Sequence, residues 1–208
     1  MASKGDRRRQ AILACVADLL ESSSYEEITI AEIMRRAEVT RPGFYFYFPT
    51  KGAAVASLME ALFPEFAAAA AVWYEHSGTN QVRTLREGMT ATVDLWRKHA
   101  HVMHGMVQAA SADTHAAEIW EQWVAAFVAR AVPTITADAG TRLTKAGTSV
   151  ESVAELLVDA TFAAMRRDVR SLVERGEEDK QVLASLVFLW TQTLYPGKRA
   201  AGVTDPRR

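Results

Sequence analysis

A chain of 208 residues, 49% apolar and 24% charged, is long enough to bury a full core, as one large domain or two small ones. No apolar run approaches the ~18–20 residues of a membrane span, no apolar signal segment follows the charged N-terminus, and the lone Cys15 excludes an internal disulfide, so a soluble, cytoplasmic protein with no membrane partner is expected. The formal charge of −1 argues neither for nor against nucleic acid, but residues 1–51 hold eight Lys/Arg against seven Asp/Glu, a net of +1 that leaves −2 for the rest. That asymmetry runs in the direction a DNA-binding N-terminal segment requires.

In chain order, residues 1–5 are expected to be disordered, and Arg7, Arg8 and Arg9 open a first helix that runs to about Ser22 with Ile12, Cys15, Val16, Leu19 and Leu20 facing inward. The three arginines are either a basic arm for a minor groove or phosphates, or a solvated helix start. On that apolar stripe Cys15 reads as a small buried hydrophobe rather than a reactive thiol. Ile30, Ile33, Met34 and Ala37 then recur at helical spacing, and Thr40 is the N-cap of a second short helix starting at Arg41, with Pro42 tolerated in its first turn. Two short helices meeting at a tight turn and leaning on the first helix make a helix-turn-helix unit over residues 6–48. Its second helix is unusually aromatic. Phe44 and Phe48, four apart, can share the core face with Val39; Tyr45 and Tyr47 then point outward, or pack on a neighbouring helix with only the hydroxyl wet.

Thr50 caps a long helix from Lys51, apolar at Val55, Leu58, Met59, Leu62, Phe63 and Phe66, in which Pro64 is expected to introduce a bend. It ends at Ser77-Gly78-Thr79-Asn80. Leu85, Met89, Thr92, Val93 and Trp96 stripe the next helix; a shorter one crosses His101 to Ala110; a long one runs from about Thr114 to Thr136; Gly140 to Ser149 reads as a loop. Val153 to Arg175 and Val182 to Leu194 are the last helices, closed by Pro196-Gly197, and the tail 198–208 is expected to be disordered. The fold class is therefore all-α, with about nine helices and no strand.

Bulky apolar groups concentrate in the later helices, with Trp120, Val124, Phe127 and Ala131 on one stripe and Ala160, Thr161, Ala164 and Met165 on another. They read either as a filled core or as an elongated apolar cavity with Thr92 and Thr161 as sparse polar anchors. Enzyme chemistry has little support. Ser111, Asp113 and His115 are triad residue types without a strained nucleophile turn; His99, His101 and His104 are close, and His101 and His104 can share a helix face, but they lack a nearby Cys or a His-Glu signature; and no glycine loop cradles a phosphate, so neither metal nor cofactor is implied.

The order of an N-terminal helix, ITIAEIMRRAEVTRPGFYFYFPTK and a long following helix resembles the DNA-binding domain of TetR-family transcriptional repressors. The spacing from Ile30 through Ala37, Val39, Thr40, Tyr45, Tyr47, Phe48 and Lys51 carries the match, and the remaining helices fit that family's ligand-binding and dimerisation domain. The resemblance implies a DNA-binding domain at 1–50, a ligand-binding and dimerisation domain at 51–197, and a repressor that binds a roughly palindromic double-stranded DNA operator as a homodimer and is released by a hydrophobic small molecule. The candidate DNA-binding residues are Thr29, Thr40, Arg41, Pro42, Gly43, Tyr45, Tyr47 and Lys51: Arg41 for a base or phosphate, Thr40, Tyr45, Tyr47 and Lys51 for phosphates, and Gly43 for close backbone approach. The ligand positions are Leu85, Met89, Thr92, Trp96, Trp120, Val124, Phe127, Thr161 and Trp190, with Met165 beside them. Where one family member uses asparagine anchors, Thr161 and Ala164 stand here, so a less polar ligand is expected. Leu183, Leu186, Leu189 and Leu194 are the expected dimer face in a four-helix interface.

This chain departs from the family pattern twice. Glu38 stands where glycine is usual in the turn, and a left-handed residue with a side chain costs about 1 kcal/mol. Gly43 stands where threonine is common in the recognition helix, so operator sequence does not transfer. The alternatives that remain are a DNA-binding protein without sequence preference, a helical enzyme with a hydrophobic substrate pocket, and a helical adaptor that binds only protein.

Overall fold

Short polar side chains set where most of the helices start. The computed structural model describes residues 4–75 and 80–197, and among these it has nine helices and no strand: α1 (Lys4–Ser22), α2 (Ile30–Arg36), α3 (Arg41–Tyr47), α4 (Lys51–Tyr74), α5 (Gln81–Lys98), α6 (Ala100–Ala112), α7 (Thr114–Lys145), α8 (Val150–Arg175) and α9 (Val182–Leu194). The Oγ1 atoms of Thr29, Thr40 and Thr50 accept from the amides of Glu32, Gly43 and Ala53 at 3.2, 3.2 and 3.0 Å, and Asp113 and Ser149 cap α7 and α8 in the same way. Each such cap contributes about 1 kcal/mol. For α2 and α3, of seven residues each, this matters, because helices so short do not persist alone. Burial of Ile33 and Phe44, neither of which is exposed at all, supplies the rest.

The expectation of disorder at residues 1–5 is corrected at its inner end, since Lys4 and Gly5 already belong to α1. Residues 1–3, most of the break at Ser77 to Asn80, and the tail 198–208 lie outside the described residues. α7 does not stop near Thr136. It runs through Pro133 and Gly140 to Lys145, because Ile135, Ala139 and Leu143, four apart, continue its buried stripe, and the expected loop shrinks to the turn around Gly147. α8 accordingly starts at Val150, capped by Ser149.

α1 packs its apolar stripe on α2, α4 and α6, while α4 passes from α1 into contact with α5, α6 and α7. By length and composition α4 is apolar enough to cross a membrane, which corrects the expectation that no such run exists. Its alanines and these helix contacts account for that composition, and Val55, Met59, Phe66 and Trp73 are its buried anchors. The face of α9 needs correcting as well. Leu186 and Leu194 are buried within the chain against the core, so they are not available to a second copy; Phe188 and Leu189 of α9, with Leu156 of α8, are the exposed apolar side chains. A buried ion pair ties these elements together: Asp168 on α8 receives Arg97 Nε at 2.8 Å and the Asp179 amide at 2.7 Å, pinning the α8–α9 loop to α5.

Candidate nucleic-acid interface and apolar cavity

The turn between α2 and α3 closes on backbone bonds. Ala37 caps α2, Glu38 takes the left-handed conformation at φ +53°, and the Val39 amide donates to the Met34 carbonyl at 3.0 Å, while both side chains pack on the core. This is the helix ending that normally selects glycine, here carried by a glutamate. From it α3 departs with Phe44 and Phe48 buried and Arg41, Pro42, Tyr45 and Phe46 outward, four residues at helical spacing on one face.

Tyr45 is 41% exposed, and the Arg41 guanidinium lies 5.7 Å over its ring, so cation and phenol share one patch. Tyr47 is corrected in part: it is half-buried and packs against the core. The outward aromatic that the sequence reading missed is Phe46, 80% exposed. A signal for it was present. At about 100° per residue, position 46 lies roughly 200° from both Phe44 and Phe48, diametrically away from the core they mark. A Cβ on Gly43 would sit 3.2 Å from Thr40 Oγ1, so the glycine leaves the cap undisturbed.

Lys51 is corrected more sharply. Its Nζ donates to the carbonyls of Tyr25 and Ile28 at 2.5 and 2.6 Å and lies 4.0 Å from the Tyr25 ring centroid, where burial lowers its pKa. It ties the start of α4 to the α1–α2 loop instead of projecting outward. Arg35 and Arg36 both bond Glu32, at 2.7 Å, and hold its carboxyl down at about 2, so one of the two positive charges of α2 is matched within the helix. Arg9 lies 5.4 Å over Phe48, so it packs against the unit and is not an extended arm. Ser111 Oγ donates to the Val107 carbonyl and Asp113 caps α7, so two of the triad residue types serve helix backbone.

On the far side of the helix-turn-helix, α4, α5, α7, α8 and α9 enclose an apolar cavity of about 60 Å³. Seven of the expected residues line it: Leu85, Met89, Thr92, Trp96, Phe127, Thr161 and Trp190. Three do not. Trp120 and Val124 face a surface depression beside Glu155 and Asp159, and Met165 is fully buried in the core. The wall that the sequence reading missed is α4 itself, through Phe66, Ala70, Trp73 and Tyr74, with Val158 and Phe162 from α8.

Polar atoms around the cavity are already engaged. Thr161 Oγ1 accepts from Trp190 Nε1 at 3.0 Å and donates to the Leu157 carbonyl; Thr92 donates to the Gly88 carbonyl; Trp73 Nε1 donates to the Tyr195 hydroxyl, which in turn donates to Asp138. Burial pushes the phenols of Tyr74 and Tyr195 well above their ordinary range. The surface offered inward is thus hydrocarbon and aromatic. Its free volume suits a few waters, and anything larger must turn aromatic side chains aside.

Comparison with known proteins agrees with this arrangement. The family model for bacterial regulatory proteins of the tetR family matches residues 12–58, from α1 into α4. The HTH-type transcriptional regulator EthR of Mycolicibacterium smegmatis is 25% identical over 193 residues, covering 92% of this chain and 88% of its own. Among solved structures, a protein described as a TetR-family regulator from Syntrophomonas wolfei superposes with a TM-score of 0.68 at 16% identity, over 90% of this chain and 94% of its own. Thermus thermophilus FadR, a TetR-family repressor solved with lauroyl-CoA, gives 0.59 at 18% identity over 95% and 98%. These two share the fold; the family match and EthR, aligned along nearly the whole chain, carry the identity further. The chain carries a match to the tetR-family DNA-binding region at residues 12–58 and along nearly its whole length resembles TetR-family transcriptional regulators, EthR among them.

Proposed function

We propose that this regulator is a cytoplasmic repressor that binds a roughly palindromic operator as a homodimer and leaves it when a hydrophobic small molecule enters the cavity. One observation carries the reading: α4 is shared. Its first turn is bound through Lys51 to the α1–α2 loop of the helix-turn-helix unit, and its second half forms a wall of the cavity. A ligand that displaces Trp73 or Tyr74 shifts α4, changes the separation of two copies of α3, and lowers affinity for paired half-sites. On this reading the DNA-binding domain is residues 1–50 and the effector and dimerisation domain 51–197.

In the DNA complex α3 lies in the major groove. Arg41 reaches a base edge or phosphate, and the Tyr45 hydroxyl reaches a phosphate. Thr29 and Thr40 use lone pairs for capping, which leaves each hydroxyl proton free to donate to a phosphate oxygen. Pro42 and Gly43 keep that edge of the helix low. The effector is apolar and elongated, in keeping with a cavity whose polar atoms are spent; the Thermus FadR was solved with lauroyl-CoA, of which the acyl chain alone is of that kind. The two-fold copy packs on the exposed face of Leu156, Phe188 and Leu189.

Sequencing the genomic fragments retained by the full chain tests this. A consensus of two inverted half-sites supports the repressor; salt-sensitive retention with no consensus would replace it with an architectural role.

A further inference from the structure

Phe46 is the most exposed of the large apolar side chains in the described residues, and it projects from the helix that carries Arg41 and Tyr45. Its ring meets Tyr47 edge-on, with centroids 4.9 Å apart and planes at 88°, a packing that gives it a defined direction instead of a free sweep. The chemistry alternates along α3: the rings at 45 and 47 carry hydroxyls and the ring between them does not. A phenyl group can neither donate to a phosphate nor pair with a base edge. The apolar group that base edges present in the major groove is the 5-methyl of thymine.

We infer that Phe46 is a specificity-determining residue that packs on a thymine methyl in each half-site. The inference rests on the proposed docking of α3 in the major groove and adds to it the base that this helix selects. Phe46 then takes out of water on DNA the surface it exposes in the free protein. The ring is mostly exposed and packs on Tyr47 at the helix surface, so its removal is expected to leave the fold intact.

The test begins with duplexes selected from random-sequence DNA by the full chain, resynthesised with deoxyuridine in place of thymidine one position at a time. That exchange deletes a methyl group and leaves every hydrogen-bonding atom in place. At one position per half-site the wild-type chain is expected to bind the deoxyuridine duplex about fourfold more weakly, the worth of one methyl group removed from water. Phe46→Ala, with an unchanged melting temperature, is expected to bind both duplexes equally, at the weaker level or below, while Phe46→Leu keeps part of the difference. Wild-type affinity indifferent to every deoxyuridine exchange would overturn the inference, as would a fourfold difference that survives in Phe46→Ala; in either case the docking of α3 would stand. If no sequence is enriched at all, the docking itself fails and the inference goes with it.

Discussion

The side chain of Asp168 has no solvent exposure, and Arg97 and the Asp179 amide bond both of its oxygens. Removing the guanidinium leaves that group buried and under-partnered, so Arg97→Met is expected to lower stability by roughly 3–5 kcal/mol, read from the denaturant midpoint. Glu178, the exposed member of the same network, should change it by less than about 1 kcal/mol when converted to glutamine. Glu38 is the opposite case. Its φ of +53° costs a side chain that glycine lacks, so Glu38→Gly should raise stability by about 1 kcal/mol, provided the turn bond from Val39 to Met34 is kept. His104 sets a pH dependence: burial pushes its imidazole below the ordinary value, with Glu174 opposing and Arg170 and His101 reinforcing. The folded chain therefore prefers the neutral ring, and the unfolded chain takes up the proton first as pH falls. This contribution to stability is complete above about pH 6.5 and declines below it, so the melting temperature should drop between about pH 7 and 5, and less so in His104→Gln.

At the scale of elements, α4 joins the two proposed functions, and Lys51 is where it meets the helix-turn-helix. Lys51→Ala should destabilise the chain by roughly 1–3 kcal/mol, because two carbonyls lose a charged donor, while the salt dependence of DNA binding keeps its slope. A slope reduced by about one unit with stability unchanged would return Lys51 to the phosphates. The helices themselves were legible in sequence, since apolar spacing and threonine caps announce α2, α3 and the start of α4 without any tertiary information. The end of α7 was not, because Gly140 and its threonines resemble a loop; the stripe of Ile135, Ala139 and Leu143 that overrides them is persuasive only once something is seen to pack on it. Cavity membership was half legible for a similar reason. Periodicity identifies a buried face, but whether that face meets a side chain or a void depends on which helix lies opposite: Trp73 and Tyr74 border the void, whereas Met165 on an equally apolar stripe meets packed neighbours. Lys51 was misplaced because the family pattern marks the position but not the carbonyls of Tyr25 and Ile28 above it.

For the whole molecule, the proposal needs two copies, and it puts their contact on the exposed apolar face of α8 and α9. Leu156→Glu with Phe188→Glu should leave each chain folded while shifting sedimentation at micromolar concentration from dimer to monomer, and should weaken binding to a paired site far more than to a single half-site. The central claim is that apolar ligand and operator compete through α4 of one folded dimer. It is tested most directly by titrating a labelled, selected duplex bound to the protein with hydrophobic compounds, following DNA anisotropy and tryptophan fluorescence in the same cuvette. Saturation at two chains per duplex is expected, with a compound that quenches tryptophan and frees the DNA over one concentration range; a compound that quenches the cavity tryptophans while the duplex stays bound would overturn the coupling.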